Sequence, residues 1–410
     1  MSSYISDVVI VGASLAGGRT AEALRSRGFD GRIVLAGREP YPPYERPALS
    51  KEFLTKGVPP EDLQLRPQGQ WRDLDIELIT GEGVEAVSVS EGCLELTSGR
   101  RLTADRLVLC TGGRSRPLGI AGERLPGVYH LRDIADAEAL RSVLHERARV
   151  VIVGGGFVGA ETAASAATLG CDVTILEVGP TLMIRGLGVR WGTLVAEEHR
   201  RQGVTVRTDT SVRQFLGRDR VHGVELADGE RIDADVVIVG VGMTPAVELA
   251  LDASLAIDNG IVVDEGGRTS NPHVFAAGDV TNQPGWRGIG RRRLESFQNA
   301  QDQAESVAAA LLGQPLPERD VPWFWSDQFE YNIQTAGHLA TDGELVLRGA
   351  EDSSSFTAFH LREGVLSGVF AINGGRDVRG AMRLIASGQQ LDAASLADPS
   401  VDLRHLVAAR

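Results

Sequence analysis

Two glycine-rich loops of the same type occur in this chain, each between an apolar run and a run of small residues. They are Gly12-x-Ser14-x-x-Gly17 and Gly154-x-Gly156-x-x-Gly159. A strand, a glycine turn and a helix in this order bring backbone N–H groups and the positive end of the helix close to a pyrophosphate. One such loop is weak evidence, because ordinary tight turns also match it. Two loops with these flanks predict that the chain binds two dinucleotides.

Each loop joins the first strand to the helix of a strand–helix–strand unit, as in mononucleotide-binding domains. The first unit runs from VVIVG at 8–12, through a helix to about Arg27, to RIVLAG at 32–37. The second runs from VVIVGGG through a helix ending near Leu169 to DVTILE. These units predict two similar parallel sheets.

The second unit ends in an acidic residue at a position that selects the nucleotide. Glu177 lies 18 residues after Gly159, where a carboxylate bonds the adenosine ribose and repels a 2′-phosphate. This favours NADH over NADPH. In the first unit the acidic candidate is Glu39, but Arg38 precedes it, and the sequence leaves open which of the two contacts the adenosine.

Further apolar runs that end in glycine predict more buried strands and a domain order. They are LVLCTGG at 107–113, VVIVGVGMTP at 236–245 and VFAAGDV at 274–280. The segment from Glu39 to Leu54 is rich in proline and charge and is predicted to be a loop. From about Trp323, alternating strands and then a helical pattern predict a third domain. The expected fold is α/β: two Rossmann-like dinucleotide-binding domains, at 1–115 with 246–322 and at 116–245, and a C-terminal α/β domain at 323–410.

Composition excludes several classes of function. The 410 residues carry a formal charge of −13, which disfavours broad binding to nucleic acid or anionic membranes. The first apolar run has no basic segment before it, and no run reaches the roughly 18 apolar residues of a membrane span. We therefore expect a cytoplasmic protein without a membrane anchor.

Cysteine usage excludes a thiol-based redox centre. Cys93, Cys110 and Cys171 are the three cysteines of the sequence, and no two form a C-x-x-C pair. A redox disulfide or a zinc site would need such closely spaced thiols. We expect all three to be packing residues and expect no metal site, so electrons that reach this protein must leave it by another route.

Several motifs together resemble one family across essentially the whole chain. They are the first glycine loop, Arg46-Pro47-x-Leu49-Ser50-Lys51, Thr111-Gly112-Gly113, the second glycine loop, Ala276-Ala277-Gly278-Asp279-Val280 and Pro322-Trp323-Phe324-Trp325-Ser326-Asp327-Gln328. In these motifs the chain resembles the FAD-dependent NADH:ferredoxin reductases, which include the reductase components of biphenyl-type dioxygenases and putidaredoxin reductase. The resemblance implies FAD on the first loop and NAD on the second.

The resemblance also implies roles for individual residues. Lys51 is expected beside the flavin N5, where a cation stabilises the negative charge of reduced flavin, and Glu161 is expected to pair with Lys51. Trp325 is expected to border the isoalloxazine, and Asp279 to bond the ribityl chain. Without the resemblance, these would be a surface lysine, a carboxylate in a first helical turn, a core tryptophan and a helix cap.

The remaining cofactor contacts are expected from position in the motifs. For FAD these are Gly12, Ser14, Ala16, Gly17, Arg38, Glu39, Val84, Thr111, Gly112, Arg132, Gly278 and Phe297. For NAD they are Gly154, Gly156, Gly159, Glu177 and Arg185. The chain departs from the family pattern at Ser14, which replaces a glycine, at Arg38, which replaces an acid, and at Ala246, which replaces an asparagine.

The activity implied is that of an NADH:ferredoxin oxidoreductase that supplies an oxygenase. Its partner would be an acidic 2Fe–2S ferredoxin, and a local cationic face for it is predicted at Arg66, Arg287, Arg291, Arg292 and Arg293. Rubredoxin, monodehydroascorbate and oxygen are alternative acceptors, and a signalling flavoprotein similar to apoptosis-inducing factor is an alternative from another class. We expect a monomer.

Overall fold

The computed structural model describes residues 5–407. The chain forms two compact units. Within the described residues, the first comprises 5–46, 59–114 and 243–320, and the second comprises 47–58, 115–242 and 321–407. The outer ends of the first and last predicted domains, residues 1–4 and 408–410, lie outside the described residues.

The elements of the first half of the chain follow in order. Up to residue 115 these are strands β1 (Asp7–Val11), β2 (Arg32–Ala36), β3 (Ile76–Ile79), β4 (Val84–Ser88), β5 (Cys93–Leu96), β6 (Arg101–Thr103), β7 (Arg106–Leu109) and β8 (Gly113–Ser115), with helices α1 (Leu15–Ser26), α2 (Glu52–Lys56) and α3 (Gln68–Asp73). Residues 116–242 contain β9 (Val128–Tyr129), β10 (Arg149–Val153), β11 (Asp172–Leu176), β12 (Thr205–Arg207), β13 (Val212–Gly217), β14 (Val221–Leu226), β15 (Arg231–Asp233) and β16 (Val236–Val239), with α4 (Ile134–Arg141), α5 (Phe157–Thr168) and α6 (Ile184–Arg201).

The elements of the second half complete both units. Residues 243–320 contain β17 (Met243–Pro245), β18 (Ile261–Val262), β19 (Val274–Ala276), β20 (Thr281–Pro284) and β21 (Arg291–Arg292), with α7 (Glu248–Asp252) and α8 (Phe297–Leu311). From residue 321 onwards there are β22 (Trp323–Gln328), β23 (Tyr331–Gly337), β24 (Glu344–Arg348), β25 (Phe356–Arg362) and β26 (Val365–Ile372), with α9 (Gly375–Ser387) and α10 (Ala393–Ala397).

The first unit is built on a five-stranded parallel sheet in the order β19-β7-β1-β2-β3. The strands are buried on both faces, so successive residues of β1 enter two different cores: Val8 and Ile10 pack in one, and Val9 and Val11 pack in the other. Strands buried on both faces are expected to be near-continuous apolar runs, and the strands predicted from the sequence are of this kind. The first glycine loop and the GD motif follow the carboxyl ends of β1 and β19, the end of a parallel sheet at which ligands bind.

The second unit contains a similar parallel sheet and an antiparallel one. The parallel sheet has the order β12-β11-β10-β16-β9, and the second glycine loop follows the carboxyl end of β10. The antiparallel sheet has the order β22-β23-β26-β25-β24, and α9 packs on it. The predicted fold class, two Rossmann-like sheets and a C-terminal α/β domain, is confirmed.

The proline-rich segment from Glu39 to Leu54 is not a loop throughout, and that prediction is wrong. Residues Arg46–Ser50 form a 3₁₀ turn, and helix α2 starts at Glu52. Proline is tolerated in the first turn of a helix because its missing N–H has no partner there, and Gly57 ends α2 in the left-handed conformation at φ 67°. Residues 47–58 are grouped with the second unit, although the sequence places them in the first domain. The three-domain division itself stays a prediction.

Candidate functional site

The first glycine loop is shaped by close backbone contacts. Gly12 has φ 110°, and a Cβ there would lie 2.2 Å from the carbonyl oxygen of Cys110. A Cβ on Gly17 would lie 2.0 Å from the carbonyl oxygen of Gly12. Both glycines are therefore needed for the turn and for the approach of α1 to β1. Ser14, at the N-cap of α1, uses its hydroxyl to accept a bond from Arg46 Nε at 3.3 Å rather than to cap the helix.

The GD motif packs directly on this loop. Gly278 has φ 84°, and a Cβ there would lie 2.8 Å from Cβ of Ala16. Asp279 follows it and is half-buried. The structure thus brings the Ala16 and Gly278 positions together at the carboxyl edge of the first sheet. A larger residue at either position would separate them.

The other residues predicted around FAD in the first unit lie on neighbouring segments. Thr111 donates its hydroxyl hydrogen to the Ala246 carbonyl at 2.7 Å, and Gly112 has φ 59°. Phe297 begins α8 and is half-buried. Val84 is buried at the start of β4. The geometry places Thr111 and Gly112 directly after β7, next to the strand that carries the glycine loop.

The structure separates the two adenosine candidates, Arg38 and Glu39. Glu39 accepts hydrogen bonds from Tyr44 and Arg46, and its carboxylate is half-buried. Arg38 is exposed, and its side chain passes over Gly83, where a Cβ would lie 3.3 Å from Nε. Arg38 is therefore the side chain that extends into solvent, while Glu39 is tied to the segment that leads into the RPxLSK motif.

The second glycine loop repeats the first, with one informative difference. A Cβ on Gly154 would lie 2.5 Å from the Gly240 carbonyl oxygen, and one on Gly159 would lie 2.0 Å from the Gly154 oxygen. Gly156, at the N-cap of α5, has no non-neighbouring atom within 4 Å of a built Cβ. Its glycine is thus not required by packing within the protein. An open position beside uncapped N–H groups fits the close approach of a pyrophosphate.

Glu177 is fixed beside this loop. Its carboxylate accepts bonds from the backbone N–H groups of Gly155 at 2.6 Å and Gly179 at 2.7 Å. In the first unit the residue at the same register position is Gly37, where a Cβ would lie 2.5 Å from Cβ of Ala13. The two loops therefore present different groups to a nucleotide. Arg185, the other residue predicted for NAD, is exposed on α6.

Lys51 and Glu161 form a buried ion pair in the second unit. Lys51 Nζ lies 2.9 Å from Glu161 Oε1 and donates to the Pro47 carbonyl at 2.9 Å. The side chains are 12% and 6% exposed. Glu161 also accepts bonds from the hydroxyls of Ser50 at 2.5 Å and Ser326 at 2.7 Å. A buried carboxylate is stable only when it is paired and hydrogen-bonded in this way.

Trp325 and Arg132 also belong to the second unit. Trp325 is half-buried on β22 and stacks on Trp323, with ring centroids 5.0 Å apart and planes 14° apart. It lies next to Ser326 in sequence but on the opposite side of the strand, because side chains alternate. Arg132 is half-buried, and its backbone N–H donates to Asp136 at 2.8 Å.

The predicted docking arginines differ in their exposure and in their contacts. Arg66 is paired with Glu22, and Arg293 with Glu295 at 2.5 Å. Arg291 donates to the carbonyls of Val263 and Asn282 at 2.6 and 2.7 Å. Arg287 lies over the Trp286 ring at 4.3 Å, and Arg292 is exposed. The structure thus leaves Arg287, Arg291 and Arg292 exposed and pairs Arg66 and Arg293 with carboxylates.

The cysteines form no disulfide within the described residues. Across residues 5–407 all three are free, and burial raises the pKa of the Cys110 thiol to about 12. The same range holds no cluster of side chains that could bind a metal ion. It also holds no helix that combines the length and the apolar character needed to cross a membrane.

Comparison with known proteins decides the family. Residues 6–304 match the family model described as pyridine nucleotide-disulphide oxidoreductase, and residues 323–407 match the one described as reductase C-terminal. The chain belongs to the pyridine nucleotide-disulphide oxidoreductase family.

Relatives similar to this oxidoreductase cover 98–99% of its length. The ferredoxin–NAD(+) reductase component of the biphenyl dioxygenase system of Paraburkholderia xenovorans (strain LB400) is 39% identical over 407 residues, 99% of either chain. Rhodocoxin reductase of Rhodococcus erythropolis is 40% identical over 98% of this chain and 94% of that protein. The covalent putidaredoxin reductase–putidaredoxin complex contains a chain that superimposes with a TM-score of 0.93 at 34% identity, covering 98% of this chain and 99% of that one.

Members of this family use FAD, and a ferredoxin–NAD(+) reductase implies NADH as donor. The residues present fit both groups. The first loop, with Gly278 and Asp279 at the same sheet edge, would hold FAD, and the open Gly156 position with Glu177 would hold NAD. When bound, FAD supplies the conversion between two-electron and one-electron transfer.

Sequence reasoning missed four polar residues of this site: Ser50, Ser326, Gln328 and His199. Ser50, Ser326 and Gln328 lie inside motifs that the sequence singled out, but without an assigned role. The alternation along WFWSDQ is the signal that was available, because Ser326 and Gln328 share one face of β22 and are both buried. Nothing local in the sequence points to His199, since its neighbours come from distant parts of the chain.

Proposed function

We propose that this protein is an NADH:ferredoxin oxidoreductase that accepts a hydride from NADH and passes single electrons to a 2Fe–2S ferredoxin that supplies an oxygenase. The observation that carries this proposal is the presence of two complete nucleotide loops in a chain without a thiol redox centre. A family member with two dinucleotide sites and no reactive cysteine pair has to send its electrons to an external acceptor. The relatives of similar length named above are reductases of ferredoxin-type partners.

In this proposal the chain's own residues bind, orient and stabilise charge. The second loop binds the pyrophosphate of NADH, and Glu177 bonds its ribose. Lys51 supplies a fixed positive charge where negative charge develops, which is a favourable preorganised arrangement. Glu161 keeps the Lys51 ammonium in place, and Trp325 shields the reacting region. These site roles rest on the family resemblance and on the buried Lys51–Glu161 geometry.

Glu177 supports a preference for NADH. A 2′-phosphate would bring further negative charge to a carboxylate that is already fixed by two backbone N–H groups. Like charges placed together cost several kcal/mol, so we expect kcat/KM for NADH to exceed that for NADPH by about a hundredfold or more. Arg185 is exposed and single, which is too little for a phosphate pocket.

For the ferredoxin, we propose docking at the segment 286–292. Arg287 and Arg292 are exposed there, and Ile289 between them is 67% exposed. Exposed cations around an apolar residue fit an acidic protein that contributes both carboxylates and apolar surface. Arg66 and Arg293 contribute less in this proposal, because carboxylates already neutralise them. We further propose that the protein works as a monomer in the cytoplasm.

The first experiment is a spectrum and a coupled assay. The purified protein is expected to show a flavin spectrum and to reduce cytochrome c with NADH in the presence of an acidic 2Fe–2S ferredoxin. NADPH replaces NADH in a matched assay, and omission of ferredoxin is the control. NADH-selective, ferredoxin-dependent reduction supports the proposal. A flavin protein whose rate does not respond to ferredoxin contradicts the acceptor and directs the search to rubredoxin, monodehydroascorbate or oxygen.

A further inference from the structure

A chain of hydrogen bonds leads away from Glu161 through buried side chains. Ser326 donates its hydroxyl hydrogen to Glu161 Oε1 at 2.7 Å, and Gln328 Nε2 donates to Ser326 Oγ at 2.9 Å. Gln328 Oε1 lies 2.8 Å from His199 Nε2. Ser326, Gln328 and His199 are 0%, 2% and 1% exposed. The hydrogen-bond network thus reaches from α5 through β22 to α6 by way of buried side chains.

The donors of this hydrogen-bond network all point towards Glu161. Burial lowers the pKa of His199, which favours the neutral ring with one proton. An amide oxygen can only accept, so the proton facing Gln328 is on His199 Nε2. With the opposite amide orientation, Gln328 would draw the Ser326 hydroxyl hydrogen away from Glu161. The observed orientation aligns three dipoles with their positive ends towards the carboxylate, and aligned bonds strengthen one another.

Each residue of this hydrogen-bond network lies on a helix or a strand or is packed against one. His199 lies on α6, with its ring edge-on to Phe329 at 5.1 Å. Gln328 Nε2 also contacts Met183 Sδ at 3.4 Å. Ser326 and Gln328 are paired in register with Ile333 and Tyr331 on β23. Side chains locked in this way hold a functional group more precisely than a loop does.

We propose that Ser326, Gln328 and His199 are positioning residues that hold the Glu161 carboxylate in place and directed at Lys51. They act through Glu161. The same strand carries Trp325 on its other face, so this network also fixes the strand from which Trp325 projects. This inference rests on the proposed role of the Lys51–Glu161 pair beside the flavin.

The test removes the donors one at a time, in Ser326→Ala, Gln328→Leu and His199→Phe. Each loss makes the surroundings of Lys51 more negative, so reduced flavin is expected to be disfavoured. We expect a shift of about threefold to tenfold in the two-electron equilibrium, and tenfold corresponds to a midpoint potential lower by about 30 mV. The rate constant for flavin reduction by NADH in single-turnover experiments is expected to fall by a similar factor, while the NADH dissociation constant changes less than about twofold.

Matched variants separate positioning from general loss of structure. Ser326→Thr keeps the hydroxyl and is expected to restore the potential, and His199→Gln offers an N–H in place of Nε2. Ser367→Ala is the control, because the Ser367 hydroxyl donates to the His360 carbonyl in the same antiparallel sheet. FAD content and melting temperature are measured for each variant, and Gln328→Leu is compared only if it retains FAD.

The outcome is read from the midpoint potential of the flavin. This potential is measured by titration with a chemical reductant, in the absence of NADH and ferredoxin. Lower potentials in Ser326→Ala and His199→Phe, with wild-type values in Ser326→Thr and Ser367→Ala, support the proposal. Unchanged or raised potentials in the two donor-deletion variants overturn it. A wild-type protein that NADH does not reduce contradicts the proposed function instead, and the potentials still decide the role of the network.

Discussion

Glu161 is a carboxylate with almost no exposure to water, and its surroundings compensate for that burial. It accepts bonds from Lys51, Ser50 and Ser326. Ser165, one helical turn further along α5, donates to the Ser50 carbonyl at 2.6 Å and so fixes the segment that carries Lys51. Neighbouring side chains therefore fix both Lys51 and Glu161. Removal of one partner leaves the other as a buried charge without compensation.

The first prediction concerns this pair. Glu161→Ala is expected to lower the free energy of unfolding by about 3–5 kcal/mol, because the Lys51 ammonium stays buried without its carboxylate partner. Flavin reduction by NADH is expected to slow by at least about tenfold, because the ammonium loses its fixed position. Stopped-flow absorbance measures that rate. Glu197→Ala, which removes a carboxylate that is 55% exposed on α6, is expected to retain the wild-type rate. An unchanged rate of flavin reduction in Glu161→Ala would contradict the proposed role of Glu161.

At the scale of the element, the second glycine loop contains one glycine that packing requires and one that packing does not require. A side chain at Gly159 collides with the Gly154 carbonyl oxygen, whereas one at Gly156 meets no other part of the described chain within 4 Å. Gly156 has φ −72°, which alanine adopts without strain. The structure thus offers one loop in which the two roles of glycine are tested separately.

The second prediction follows from this contrast. Gly156→Ala is expected to melt at the wild-type temperature, while its KM for NADH rises by about tenfold, because the added methyl group occupies the side on which the pyrophosphate approaches. Gly159→Ala is expected to lower the melting temperature, since the helix has to move away from the strand. Thermal melts and steady-state kinetics measure both. Equal KM values for Gly156→Ala and wild type would contradict this placement of NADH.

A second element-scale feature ties neighbouring strands of the second parallel sheet. Arg149, at the start of β10, bonds Asp235, the residue before β16, through two nitrogens at 2.7 and 3.1 Å. The hydrogen bonds from Arg149 hold the pKa of Asp235 down at about 2. Because the folded pKa lies below the unfolded one, the ion pair stabilises the protein above about pH 4, and this contribution is lost as the pH falls from about 4 to 2.

The third prediction is a pH-dependent effect of Asp235→Asn. Both side chains are more than 40% exposed, so solvent screens the pair and its contribution to stability is small. The variant is expected to melt a few degrees below wild type at pH 7, and the difference is expected to narrow at pH 3. Melting curves of both proteins at the two pH values provide the measurement. A difference of equal size at pH 3 and pH 7 would show that the carboxylate charge is not its cause.

At the scale of the whole molecule, charge governs the encounter with a partner. The formal charge is −13, which repels an acidic protein on average, so docking depends on a local cationic surface. We propose that the segment 286–292 provides one, since Arg287 and Arg292 are exposed there and Arg287 lies over the ring of Trp286. Such a surface accelerates association chiefly through steering, which salt screens.

The fourth prediction is that electron transfer to an acidic ferredoxin slows as salt rises from 0.05 to about 0.5 M, where the Debye length falls well below 10 Å. Arg292→Glu is expected to lower kcat/KM for ferredoxin by several-fold at low salt and to leave flavin reduction by NADH unchanged. Arg218→Glu carries the same charge change on an exposed turn of the second unit and serves as the control. Rates that do not respond to salt would argue against this docking surface.

The sequence by itself determined the two parallel sheets, the family and the cofactors. Apolar strands that end in glycine loops leave few alternatives for the chain, because the turn after each strand needs a residue with positive φ, such as Gly12 at 110° and Gly154 at 104°. It also identified Lys51 and Glu161, although only through resemblance to the family.

Only the tertiary structure decided which groups surround those residues. The burial of Glu161 among Ser50 and Ser326 and the link from Gln328 to His199 depend on contacts between residues more than 100 positions apart in the chain. Local pattern carries no information on such pairings, since each partner taken alone is an ordinary polar residue. The same holds for the arginines: sequence counts their charges, and only the folded chain shows which of them a neighbouring carboxylate neutralises.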